Sequence, residues 1–285
     1  MLLVSFSTDR TSPKRPGMAV GDSVYDLSSK YGSISRFLAT HPDGWTESSL
    51  PLASVPKFDR GAVQLGPPVD DSSSIYLVGA NYKKHAEEAG LDIPQTPVIF
   101  QKPVTALVGP TDPIVIPPIS TQMDFEGELA IVIGRVARRV SAEQAKLHIA
   151  GLTIVNDVTA RDLQWVDLGK HRIVDWLSSK ALDKSTPVGP GIASRSAVAD
   201  PHRLKLKTRL NEDLMQDSDT SLMVFSIWVL IEFLSLRVTL RPGDLLSTGP
   251  PVGVGGFRKI FLKQGDRVRV EIEGIGLIDN PVTAE

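Results

Sequence analysis

The sequence predicts an α+β fold, with a small N-terminal domain over residues 1–70 ahead of a larger one over residues 71–285, and three stretches carry that prediction. Met123 to Gly134 leads three acids, Asp124, Glu126 and Glu128, into the unbroken apolar run Leu129 to Ile133. Side chains alternate along a strand, so the acids share one face at the mouth of a buried sheet. Gly151 to Val155 is a second apolar strand, closed by Asn156 and Asp157. Ser221 to Leu236 reads as a helix apolar round most of its circumference, which the sheet or a second subunit has to cover on nearly all sides.

Taken in order, short strands are expected near Leu2 to Phe6, Gly17 to Val20 and Ser23 to Leu27, then a helix from Ser33 to Ala39. The turn-rich stretch from Gly66 to Ser74 has the composition of a linker. Ile75 to Gly79 opens the main domain as a strand and runs into a helix with Asn81 as its N-cap and Gly90 as its stop. Extended, Pro-rich pieces around residues 97–118 deliver the chain to Asp124. A helix from Ser141 to Ala150, capped by Ser141, separates the two apolar strands, and a helix or helical turn should follow Asp157. Residues 165–185 lack a clear period and read as a mobile loop ending at Lys180 and Asp183. Strands near Leu204 to Leu210, a hairpin turn at Asn211-Glu212, the Gly/Pro loop from Thr248 to Gly255 and an alternating strand from Val268 to Gly274 complete the chain.

Composition bounds the function. With 285 residues, 41% of them hydrophobic, the chain can bury a sizeable core. Its 31 basic and 33 acidic residues form no long block of either sign, so neither a nucleic acid nor an anionic membrane is an expected partner. Cys is absent, which excludes a disulfide framework, a thiolate metal site and a cysteine nucleophile, and fits a cytoplasmic setting. The N-terminus has no basic region ahead of its short apolar stretch, as a signal peptide would. The apolar segment from Leu222 is interrupted by Ser226, Glu232 and Ser235 and falls short of the ~20 residues a membrane span needs.

The clustered acids need a reason. Two like charges about 4 Å apart repel by about 4 kcal/mol at an effective dielectric near 20, so such a cluster calls for a cation, a shifted pKa or full solvation. The all-oxygen set Glu126, Glu128 and Asp157 suits a hard octahedral ion, Mg²⁺ or Mn²⁺ rather than Zn²⁺. A solvated strand face with Asp157 as a helix cap is the alternative. His85 and Glu88 fall three apart on one helical face, where a carboxylate raises imidazole basicity and makes a water-activating dyad. A surface helix held by Lys83–Glu87 and Lys84–Glu88 pairs explains the same residues. Lys102 either points at an anionic ligand or is an ordinary exposed lysine.

In their joint order these pieces resemble the fumarylacetoacetate hydrolase superfamily over about residues 75–285. The carriers are Gly79-Ala80-Asn81-Tyr82 with His85 and Glu88, Phe100-Gln101-Lys102-Pro103, Asp124 through Glu128, Val155-Asn156-Asp157 with Arg161 and Gln164, Lys180, and Pro242 through Gly249. The resemblance implies a mixed β-sandwich-like roll with peripheral helices, usually a homodimer. It makes Glu126, Glu128 and Asp157 the Mg²⁺ or Mn²⁺ ligands, His85 with Glu88 the dyad, and Lys180 with Gln164 the groups facing a developing oxyanion. Arg161, Lys102 and Thr248 are expected to hold a small keto-acid substrate. The implied reaction is hydrolysis of a C–C bond in a 2,4-diketo acid, an acylpyruvate or a 2,4-diketo-3-deoxy sugar acid, to pyruvate and a second acid. Decarboxylation of an oxaloacetate-like acid and isomerisation of a 2-hydroxymuconate-type acid are the alternatives on the same metal. Two places depart from the family pattern: Pro250 and Pro251 follow Thr248-Gly249, and Ser178-Ser179-Lys180-Ala181-Leu182-Asp183 stands where Gly-Lys-Ser-Phe-Asp is common.

Overall fold

Because Leu129 to Ile133 is apolar without a break, its strand needs cover on both faces, and the computed structural model of the chain, which describes residues 1–9 and 12–285, supplies it. Leu129, Ile131 and Ile133 enter one core; Ala130 and Val132, on the opposite face, enter two others. Among the described residues the strand Gly127–Ile133 sits inside a twelve-stranded sheet. Its antiparallel neighbours are Ile149–Asn156 and Leu245–Ser247. Beyond the latter lie Ile75–Gly79 and the edge strand Val98–Lys102.

A five-stranded sheet made by Asp213–Asp219, Lys205–Leu210, Arg267–Ile272, Gly276–Ala284 and Ile114–Ile116 packs on the largest core. Helix Ile227–Ser235 buries Ile227, Leu230, Ile231 and Leu234 there. The second sheet crosses so close to the acids that a side chain on Gly127 would meet Thr208 Oγ1 at 2.2 Å and Val270 at 2.8 Å. Only glycine fits between the two glutamates. At the other side of the large sheet, Leu2–Ser7 pairs with both Arg15–Val20 and Thr186–Ser194, so the first strands extend the same sheet as the rest.

Several elements differ from their sequence expectation, each for a local reason. Asn81 caps nothing: its side chain donates to Thr248 O and Phe225 O and accepts from Phe225 N–H, and helix Lys83–Glu88 starts after Tyr82. Those bonds hold residues 223–225 extended, so the apolar helix begins at Ile227 with Ser226 as its cap, six residues later than Ser221. The helix from Ser141 is a single turn, Ala142–Ala145, followed by a 3-10 turn at Lys146–His148; the expected Ser141 cap accepts from Gln144 N–H. After Asp157 the β-branched pair Val158-Thr159 leads into a two-residue strand, Thr159–Ala160, pairing with Met123–Asp124, and only Arg161–Leu163 is helical. The stretch read as a mobile loop is a hairpin, Trp165–Asp167 with Arg172–Val174, then helix Trp176–Lys180 capped by Asp175. Both hairpin strands are exposed on both faces, which erases any alternation. A last strand, Gly276–Ala284, follows the one read at the C-terminus.

Candidate active site

Strand pairing brings the acids together. Gly127 lies opposite Asn156 and Glu128 opposite Val155, so Asp157, one residue past its strand, comes alongside Glu126 and donates its N–H to Glu126 O at 2.8 Å. Glu126, Glu128 and Asp157 are all buried, and each offers an oxygen within 4.8 Å of the others. Glu128 Oε2 accepts from Ser247 Oγ and from Gly249 N–H at 2.8 Å. Gly249 takes φ +88, and a Cβ there would lie 2.7 Å from Val78 O, so the donor is a position that demands glycine. Glu128 Oε1 is buried with no partner.

Cations answer most of this charge. Lys180 Nζ donates to Glu126 Oε2 at 3.0 Å, to Asp157 Oδ2 and to Thr159 Oγ1 at 2.8 Å. Arg161 pairs with Glu126 Oε1 and, at 2.7 and 2.9 Å, with Asp124 Oδ2. Asp124 in turn accepts the N–H groups of Gly255 and Gly256 at 2.7 and 2.9 Å, so the Gly/Pro loop cradles an internal carboxylate. Burial alone would raise Glu126, but Lys180 and Arg161 outweigh it and pull its pKa down to about 2. Burial would lower Lys180, yet Asp157 and Glu126 hold it above the ordinary lysine value. Glu128 is pushed well up by burial and by Asp157 and Glu126. Four carboxylates (Asp124, Glu126, Glu128, Asp157) share three basic side chains (Lys102, Arg161, Lys180), of which burial lowers Lys102 against the pull of Asp157, and Glu128, which pairs with none of the three, is the one pushed well up.

A cavity of about 490 Å³ opens on this cluster, walled on its polar side by His85, Glu126, Arg161, Gln164 and Lys180. Phe100 and Trp176, stacked 4.6 Å apart, and Phe257 form much of the apolar side. His85 is nearly buried beside the Phe257 ring, its Nδ1 has no partner, and burial lowers its pKa against the pull of Glu126, so it is neutral at pH 7. Gln164 Oε1 accepts from Arg161.

Three sequence expectations meet a different geometry. Glu88 accepts from Gly253 N–H at 3.1 Å and faces Arg258 at 3.7 Å, tying the histidine helix to the Gly/Pro loop. Lys102 is not exposed and does not line the cavity: it donates to Val158 O and Thr186 Oγ1 and pairs with Asp157. Thr248 turns its hydroxyl to Leu129 O at 2.9 Å, away from the cavity. Two residues that had no role assigned beforehand also act: Asp124, read only as one of the alternating acids, positions Arg161, and Ser247, inside the motif Pro242 through Gly249, positions Glu128.

Three close, buried carboxylate oxygens, one of them orphaned, form a donor set that fits a hard divalent cation of the Mg²⁺ or Mn²⁺ kind. Such a site in a sheet roll defines a carboxylate-ligand metalloenzyme class. The family model described as Fumarylacetoacetate (FAA) hydrolase C-terminal matches residues 74–283. The chain is 44% identical over 230 residues to Oxaloacetate tautomerase FAHD2B, mitochondrial, of Bos taurus, covering 80% of this chain and 72% of that protein. It is 38% identical over 291 residues to Oxaloacetate tautomerase fahd2, mitochondrial, of Xenopus laevis, covering 99% and 90%. Among solved structures, maleylpyruvate hydrolase from Sphingobium sp. SYK-6 in complex with manganese (II) ion and pyruvate matches with TM-score 0.81 at 30% identity, over 100% of this chain and 99% of that one. The chain belongs to the fumarylacetoacetate hydrolase family.

Proposed function

We propose that this protein moves a proton on an enolisable 2-oxo acid of the oxaloacetate type, as a divalent-metal-dependent tautomerase or isomerase. The observation that carries this reading is His85: neutral, its Nδ1 unpartnered, on the wall of the cavity that Glu126 of the carboxylate triad also lines. A cation held by Glu126, Glu128 and Asp157 would supply Lewis-acid polarisation of the 2-oxo group. His85 takes a proton from the carbon next to that group and returns it. Lys180, held by Glu126, Asp157 and Thr159 at the cavity wall, sets its positive charge beside the oxygen on which negative charge develops, and Arg161 with Gln164 orients the substrate carboxylate. The identity to oxaloacetate tautomerases supports this choice.

Hydrolysis of a C–C bond in a 2,4-diketo acid is the second reading, favoured by Lys180 at the cavity wall and by the likeness to a maleylpyruvate hydrolase. There His85 would take its proton from water. Against it as first choice stands the bond from Gly253 N–H to Glu88, with His85 Nδ1 left without a hydrogen bond to the carboxylate that would complete a water-activating dyad. Decarboxylation of oxaloacetate uses the same site.

Proton NMR in D₂O on metal-stripped protein, with Mn²⁺ then restored, separates these outcomes. Mn²⁺-dependent deuterium exchange at C3 of oxaloacetate without pyruvate supports the proton shift. Pyruvate and a second acid from an acylpyruvate moves the assignment to hydrolase, and pyruvate from oxaloacetate moves it to decarboxylase. No exchange despite bound Mn²⁺ sinks the first reading. The homodimer, the cytoplasmic setting and residues 1–70 as a small N-terminal domain are part of the same proposal; light scattering reads the first.

A further inference from the structure

We propose that Lys102 is a positioning residue that holds Asp157 as a one-oxygen ligand and so biases the carboxylate triad toward Mg²⁺ or Mn²⁺ and away from Ca²⁺. The ammonium comes from the edge strand Val98–Lys102 and is 4% exposed. It donates to Val158 O at 2.8 Å and Thr186 Oγ1 at 2.6 Å, and meets Asp157 Oδ1 at 2.7 Å as an ion pair, off the direction of a hydrogen bond. Three protein oxygens fix it in place. It does not line the cavity, whereas Lys180, on the other Asp157 oxygen, does. One oxygen of Asp157 thus meets Lys102, which stays off the cavity, and the other meets Lys180, which lines it.

Glu128 repeats the pattern: Ser247 and Gly249 hold Oε2 and leave Oε1 free. Both oxygens of Glu126, by contrast, meet cations that line the cavity. A site that offers single carboxylate oxygens suits an octahedral ion that keeps open positions. Ca²⁺ takes more oxygens and favours bidentate carboxylates, which Lys102 denies it at Asp157. Outer partners of ligating carboxylates commonly set affinity in this way.

This inference rests on the metal reading of the triad, and its test separates the two. Mn²⁺ binding to the metal-stripped full chain is followed by electron paramagnetic resonance, with Ca²⁺ as competitor. Wild type is expected to bind Mn²⁺ and resist Ca²⁺; no Mn²⁺ binding by wild type would overturn the metal reading itself. In Lys102→Met, Mn²⁺ affinity should fall by about 10–100-fold, Ca²⁺ affinity by less, so that discrimination narrows. A folded Lys102→Met with unchanged Mn²⁺/Ca²⁺ discrimination overturns the role of Lys102. If that variant does not fold by circular dichroism, the near-isosteric Thr186→Val, which frees one side of the ammonium, decides: narrowed discrimination supports the inference and unchanged discrimination overturns it.

Discussion

At the scale of single residues, burial and uneven charge pairing shift two groups of the site, and two titrations follow. Burial lowers the pKa of His85, so its imidazole is the base form at neutral pH. Activity should therefore be flat above the ordinary histidine pKa of about 6.5 and fall only on the acid side, with the limb lost in His85→Gln. A pH–rate profile measures it; a limb that persists in that variant assigns it elsewhere. Glu128 has the opposite sign from a paired carboxylate: its folded pKa is raised, so the folded state binds the extra proton. The stability this group contributes is present below the ordinary glutamate pKa and is lost as pH rises through its raised folded value. Thermal melts of metal-stripped protein should accordingly weaken as pH climbs above ~4.5, Mn²⁺ should cancel the loss, and Glu128→Gln should abolish both effects.

Elements place these residues, and the closest contacts are where a substitution will be felt. Gly127 separates two ligands beneath Thr208 and Val270. Gly127→Ala should cost about 1–3 kcal/mol of stability by overpacking and weaken Mn²⁺ binding along with it, which denaturant titration and metal titration measure separately. Asn81, fully buried, ties the stretch before the histidine helix to residues 225 and 248 through three hydrogen bonds. Asn81→Ala should lose about 1–3 kcal/mol by leaving buried backbone groups unpaired, and should lower activity by loosening the helix that carries His85. Unchanged activity would show that this helix is held by its other contacts.

For the molecule as a whole, cation binding and folding are linked because the triad exists only when two strands and the segment after one of them come together. An ion present at 100 times its dissociation constant should stabilise the fold by about 2.7 kcal/mol, seen as a higher melting temperature that chelation reverses. No helix among the described residues is long and apolar enough to cross a membrane. The sequence alone determined the apolar strands, the acids that lead into one of them, the ligand candidate Asp157 and the family, because alternation, apolar runs and motif order are local properties of the chain. It could not determine that Asn81 staples two segments instead of capping a helix, that Lys102 sits behind Asp157, or that Glu88 turns to Gly253. Each of those depends on a partner 55 or more residues away, between Lys102 and Asp157, and up to 167 away, between Asn81 and Thr248. Which oxygen or nitrogen a buried polar group finds is decided by sheet register and close packing, and only the tertiary structure sets those.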